Sequence, residues 1–221
     1  MSERLEIELA GGFTDSSGAV HRRLVFGKRL TGADLIRADH NYGRVSQVGF
    51  ECEACAAALV EFGTLARDEM PHALLSLSVI ERAEAEEAYD RFLAQTAPDR
   101  RPEPLSDDTV RLAFGVRRGG VTYTDVTFGY LLTGWDEVHA DERRLTGVER
   151  NLHLMGLQVV RLAAEGVESI ETGLTLTDFE GMEAGDITAL RDAAEQWYEG
   201  VLAAHLKKRF GDGDGAGEAV N

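Results

Sequence analysis

Cysteine, proline and positive charge are all scarce in this chain, and each scarcity narrows what it can be. Two cysteines among 221 residues do not make the disulfide framework of a small secreted protein. Lys and Arg number 23 against 39 Asp and Glu, which leaves a formal net charge of −16. A surface so poor in clustered cations does not suit phosphate backbones, whose binding is driven by counterion release to Lys and Arg. Nor does it suit anionic membrane surfaces. No stretch approaches the roughly 20 apolar residues of a spanning helix. The start, MSERLEIELA, lacks the basic and apolar regions of a secretory signal. A cytoplasmic protein with no nucleic-acid or membrane partner is therefore expected. An acidic DNA mimic also fits the charge, but acidic soluble proteins are common.

What the chain does have is an internal repeat. Phe26 to Asp39 reads FGKRLTGADLIRAD and Phe128 to Asp141 reads FGYLLTGWDEVHAD, with eight of fourteen positions identical at an offset of 102. A gapless match of this length points to a duplicated unit. Three of the four prolines, Pro98, Pro102 and Pro104, fall between the copies. They predict a stiff, helix-free spacer over 98–106. The predicted organisation is a first repeat over 1–97, that spacer, a second repeat over 107–210, and an acidic Gly-rich disordered tail over 211–221.

Each repeat reads as a β-hairpin followed by about three α-helices. Leu5, Ile7 and Leu9 alternate with Glu6 and Glu8, and Val110, Leu112 and Phe114 alternate likewise, the period of half-buried strands. Thr31-x-x-Asp34 and Thr133-x-x-Asp136 open the first helices with a capping pattern. The second helices carry Val45, Val48, Cys52, Ala56, Leu59 and Phe62, and Leu152, Met155, Val159 and Leu162, with Gly63 and Gly166 as stops. A shared phrase at offset 99, Leu75–Glu81 and Leu174–Glu180, predicts the third helices, capped by Ser78 with Glu81 and by Thr177 with Glu180. They run to about Gln95 and Phe210, with Gly200 a candidate interruption. The expected fold is α+β, two such repeats packed as an internal pseudo-dimer. A lone hairpin is marginal, so it either packs on its helices or pairs with its counterpart into a four-stranded sheet.

The repeat also weighs the candidate chemistry. Cys52-x-x-Cys55 could be a redox pair or half a metal site, but it sits in a helical pattern without a second ligand pair. Its counterparts are Leu154 and Leu157 at offset 102, or Met155 and Gln158 at offset 103. Neither choice keeps a thiol, so the cysteines read as small buried hydrophobes. None of His21, His40, His72, His139, His153 and His205 recurs in register, and they read as surface or half-buried residues. Asp34, Asp39, Asp136 and Asp141 do recur. Five residues separate each pair, about 140° around a helix, so the first reads as a cap and the second as a solvated charge. No catalytic, cofactor-binding or metal site is expected, and the chain is expected not to be an enzyme. What the copies share is apolar positions, turn glycines and caps.

Those shared pieces, Leu30-Thr31-Gly32-Ala33-Asp34 with Leu75–Glu81 and Leu132-Thr133-Gly134-Trp135-Asp136 with Leu174–Glu180, resemble the tail assembly chaperones of long-tailed bacteriophages and related proteins of contractile injection systems. The tandem duplication departs from the single-unit chains usual there. The resemblance implies a non-enzymatic protein that holds a tape-measure or other tail component soluble in the host cytoplasm. It marks no catalytic residues. A structural adaptor retained in the tail or baseplate is the alternative; a CxxC redox or metal protein and a DNA mimic are weaker ones. Neither the client nor the oligomeric state is specified by the sequence.

Overall fold

The computed structural model describes residues 4–43, 45–96 and 101–210, and its fold is α+β with two antiparallel sheets. The first half runs β1 (Leu5–Thr14), β2 (Val20–Phe26), α1 (Gly32–Ala38), a π-helical turn (Asp39–Gly43), α2 (Gln47–Ala58), β3 (Leu59–Phe62), α3 (Met70–Ser76) and α4 (Val79–Thr96). The second runs β4 (Glu103–Ser106), β5 (Thr109–Arg118), β6 (Val121–Phe128), α5 (Gly134–Glu142), α6 (Gly147–Gln158), β7 (Val159–Ala164), β8 (Val167–Glu171), α7 (Leu176–Gly181) and α8 (Ala184–Phe210). Residues 98–100 of the expected spacer, and the whole of the expected tail 211–221, lie outside the described residues. The later part of the spacer is β4, an exposed edge strand paired with β5. Proline is admissible there, because an outer strand leaves one backbone edge unpaired.

The plan of hairpin plus three helices needs correcting in both halves. The second helix stops at Ala58 and at Gln158, and the chain turns at once into a third strand. Leu59 and Phe62, expected on the helix, lie on β3 beside β2; Val159 and Leu162 lie on β7 beside β6. Helical spacing alone could not show this. The cause is tertiary: Leu24, Val25 and Phe26 of β2 are buried, and a buried strand must pair its backbone polar groups. Gly63 and Gly166 therefore follow strands rather than helices. The hairpins do not pair with each other; the sheets are separate, in orders β1-β2-β3 and β4-β5-β6-β7-β8. The last helical stretch of the second half is two helices, broken at Met182, and α8 runs through Gly200 unbroken.

Matching bonds relate the halves more closely than the sequence phrases do. Gly27 and Lys28 donate N–H groups to the Ala58 carbonyl; Gly129 and Tyr130 donate to that of Gln158. Phe26 packs on Phe92 with ring centroids 6.5 Å apart, and Phe128 on Trp197 at 6.1 Å. Two side-by-side cores result. One is built on Leu24, Phe26, Leu59 and Phe62, the other on Val126, Phe128, Leu162 and Phe179. Each such fully buried side chain contributes roughly 1.5–3 kcal/mol.

Each first strand carries a β-bulge, at Gly12 (φ +76°) and Gly115 (φ +77°). A side chain there would strike the carbonyl oxygen of His21 or Tyr123, 2.3 and 2.4 Å from a Cβ. The bulges free backbone N–H groups, and an acid at the third position of the last helix takes them up. Glu81 of α4 accepts from Gly11 and Gly12, each at 2.8 Å. Asp186 of α8 accepts from Ala113, Phe114 and Gly115 at 2.8–2.9 Å. Glu81 therefore corresponds to Asp186, at offset 105, and not to Glu180. The phrase match at offset 99 was a coincidence of capping chemistry. The cap that opens α7 is Thr175 with Asp178, two residues before the expected Thr177 and Glu180.

Candidate functional site: a groove across the joint between the halves

The halves meet where α1 lies against α7 and α8. The Gly32 N–H donates to the Met182 carbonyl at 3.0 Å, and the Ala184 N–H donates to the Leu30 carbonyl at 2.9 Å. Glycine is required at this approach, since a Cβ on Gly32 would lie 2.0 Å from the Phe179 carbonyl oxygen. Arg29 clamps the edge of the joint. It pairs with Glu183 at 3.0 Å and holds its guanidinium 4.6 Å over the Phe114 ring, the geometry of a cation–π contact. Asp39 and His40 extend the joint to α6. The Asp39 carboxylate accepts the Val148 N–H at 2.9 Å, and His40 lies 3.3 Å from Glu149. Asp39 is thus not the solvated charge its spacing suggested. Its counterpart Asp141 pairs with Arg150 inside its own half.

Beside this joint opens a groove of about 760 Å³. Leu35 of α1 and Phe50 of α2 form the wall from the first half. Leu152 and Met155 of α6, with Ile187 and Ala194 of α8, form its floor. Leu152 and Met155 belong to the apolar stripe read on the second helix. The stripe faces the groove because α6 is capped by a full Thr146–Glu149 box, which fixes where the helix starts. The Thr146 N–H and His40 hold the Glu149 carboxyl below its usual range against the opposing effect of burial. Glu137, Arg191, Glu195 and Tyr198 stand at the mouth. The buried lining is apolar apart from Gln158, so the groove suits a largely apolar surface. Its size lies within the range of about 300–1,000 Å³ typical of ligand sites.

Cys52 and Cys55 are both buried in α2 as free thiols, away from this groove's lining. Burial, with Cys52 as a secondary influence, pushes the Cys55 thiol up to about 12, and burial raises Cys52 as well. Helices α2 and α6 share their caps and lengths at offset 100, which corrects the counterparts. Cys52 stands where Leu152 does, and Cys55 where Met155 does, all four buried. The reading as small hydrophobes fits that correspondence. Among the described residues, no three His, Cys, Asp or Glu side chains gather as metal ligands would.

The histidines are dispersed, but His21 is neither surface nor half-buried; it is 6% exposed. Its Nδ1 accepts the Thr64 N–H at 3.3 Å, so the proton sits on Nε2 and is donated to Asp15 at 3.0 Å. Asp34 and Asp136 do cap their helices. Each closes a capping box with its threonine, whose hydroxyl and N–H both donate to the aspartate. Asp34 is also gripped by Lys28 at 2.8 Å. Nothing in the local pattern marked Glu81 and Asp186 as bulge anchors. Their common place, third in a helix, is the signal that could have found them.

Among the described residues no helix is long and apolar enough to cross a membrane. No protein-family model matches the chain, and no curated protein or solved structure matches it either.

Proposed function

We propose that this protein is a non-enzymatic assembly chaperone of a phage tail or tail-like injection system, built from two copies of one unit joined head to tail. The groove between α6 and α8 is its client site. The observation that carries this reading is a groove whose buried lining is apolar except for Gln158, while its charged residues Glu137, Arg191 and Glu195 are exposed. Such a groove suits the apolar face of an amphipathic helix, the recognition mode of helix-in-groove binders. A tape-measure protein is long and helix-rich and offers such faces. The formal net charge of −16 supports the same role, because it keeps a complex with an aggregation-prone client soluble. The setting is the cytoplasm of the host, and the action needs no cofactor.

Co-expression with a tape-measure protein from the same source tests the reading. The client's soluble yield should rise severalfold and the two should co-purify. Thr188→Arg with Tyr198→Glu, both at exposed positions of the groove's rim, should abolish that gain without lowering the protein's own melting temperature. An unchanged client yield with the wild-type protein, and no co-purification, would sink the proposal.

A further inference from the structure

The joint inside the chain uses one surface from each half, and each half also carries the complementary surface, which no described residue covers. In the first half α1 docks onto the corner between α7 and α8. Its counterpart in the second half is α5, reached through the same pair of strand-end hydrogen bonds and opened by the same Thr–Asp cap. There Leu132-Thr133-Gly134 stands in place of Leu30-Thr31-Gly32. Gly32 is buried against a carbonyl, but Gly134 is exposed, and a Cβ built on it meets nothing within 4 Å. Around it Leu131 and Trp135 are 45% and 71% exposed. Among the described residues, nothing packs on Gly134, and Trp135 meets the His139 ring at 6.3 Å yet stays largely exposed.

The other half of the pairing is open too. The shared bulge anchors, Glu81 and Asp186, place the α3–α4 corner in register with the α7–α8 corner. Leu74 then stands at the place of Phe179, Leu77 at that of Met182, and Val79 at that of Ala184. In the second half the Ala184 N–H donates to the Leu30 carbonyl just before α1. In the first half Val79 and Ile80 lie 72% and 73% exposed.

We infer that α5 of one chain docks on the α3–α4 corner of a second copy, repeating between chains the joint that holds each chain together. The Gly134 N–H would meet the Leu77 carbonyl, and the Val79 N–H the Leu132 carbonyl. Where Arg29 and Glu183 pair in the internal joint, Leu131 would stand opposite Ser78, next to the exposed Val79 and Ile80. The second copy is the occupant because this chain's own sequence already occupies the equivalent surface. A head-to-tail contact of this kind leaves an open surface at each end, so it builds a ring if the rotation closes and a filament if it does not. The net negative charge opposes the association, and salt, by screening it, strengthens it.

Sedimentation velocity over a dilution series tests this with three proteins: wild type, Gly134→Val, and Val79→Glu with Ile80→Glu. Wild type should form species above the 24.1 kDa monomer, growing with concentration and with salt. Each variant should lose them. An equimolar mixture of the two variants should recover dimer and nothing larger, because it contains one intact pair of surfaces per two chains. Circular dichroism melts check that both variants fold, and Trp135→Ala, at a largely exposed side chain, serves as a second α5 variant. A wild type that stays monomeric overturns the inference, as does association that survives either variant or a mixture that stays monomeric. None of these readouts requires a client, so this inference and the proposed function fail separately.

Discussion

At the scale of single residues, Asp186 and Glu81 do the same work in different surroundings. Asp186 is fully buried and takes three backbone N–H groups of the bulge in β5; Glu81 is partly exposed and takes two in β1. Removing the first leaves buried donors unpaired, while water can replace the second. Asp186→Ala should therefore cost about 3 kcal/mol and Glu81→Ala about 1 kcal/mol, read from urea unfolding midpoints. Similar losses at the two sites would show that burial does not set their worth. The cysteines make a second residue-scale case. With its thiol at about 12, native Cys55 should alkylate on the order of a thousandfold more slowly than a free cysteine. Mass spectrometry before and after denaturation measures this. Replacing both cysteines by alanine should leave client binding intact, and lost binding in a folded double variant would return the CxxC to consideration as chemistry. The cysteines' burial was legible from the helical pattern around them. The bulge anchors were not, because the bulge glycines Gly12 and Gly115 lie 103 apart and the acids Glu81 and Asp186 lie 105 apart, out of step with the offset of 102.

At the scale of elements, α7 shows how far a capping motif can be trusted. The sequence offers Thr175-x-x-Asp178 and Thr177-x-x-Glu180 as overlapping starts. Arg118 at the end of β5 decides between them. Its Nε donates to Asp178 at 2.7 Å and its terminal nitrogen donates to the Gly173 carbonyl at 2.8 Å, which pins the earlier start. Thr175→Ala should then cost about 1 kcal/mol, while Thr177→Ala should be nearly neutral in the same thermal melt. The same contacts set a pH dependence. Burial pushes the Asp178 carboxyl up, but Arg118 and the Thr175 hydroxyl and N–H outweigh it and hold the group below the ordinary value. A carboxyl with a depressed folded pKa contributes stability that is present above the unfolded value of about 3.9 and lost as pH falls through the folded one. Asp178→Asn should lower stability at neutral pH and flatten its decline below about pH 4. A variant whose acid limb matches wild type would contradict this account. Strands β3 and β7 were hidden for a related reason: apolar spacings of three and four continue across the helix ends, and only the unpaired edges of β2 and β6 demand strands there.

At the scale of the whole molecule, the backbone bonds at Gly32 join two separate cores, which predicts that they unfold together. Gly32→Val drives a side chain into the Phe179 carbonyl and should cost about 2–3 kcal/mol. It should also split one unfolding transition into two, seen by calorimetry, whereas Gly134→Val in the open counterpart should leave the melt of the dilute monomer unchanged. A single transition in both would mean that the halves are coupled elsewhere. The groove shares the fate of the joint, since Leu35 and Phe50 come from one half and Leu152, Met155 and Ile187 from the other. By itself the sequence determined the α+β class, the hairpins, the helix starts at Thr31, Ser78, Thr133 and Thr146, and the burial of the cysteines. All of these follow from local periodicity and capping chemistry, which act within a few residues. Tertiary structure alone decided the third strands, the bulge anchors, the start of α7, and which half's first helix is covered. Those depend on which buried backbone groups lack a partner, and partners that are distant along the chain become neighbours only on folding. Leu-Thr-Gly occurs twice, but Phe179 and Met182 stand opposite only one copy.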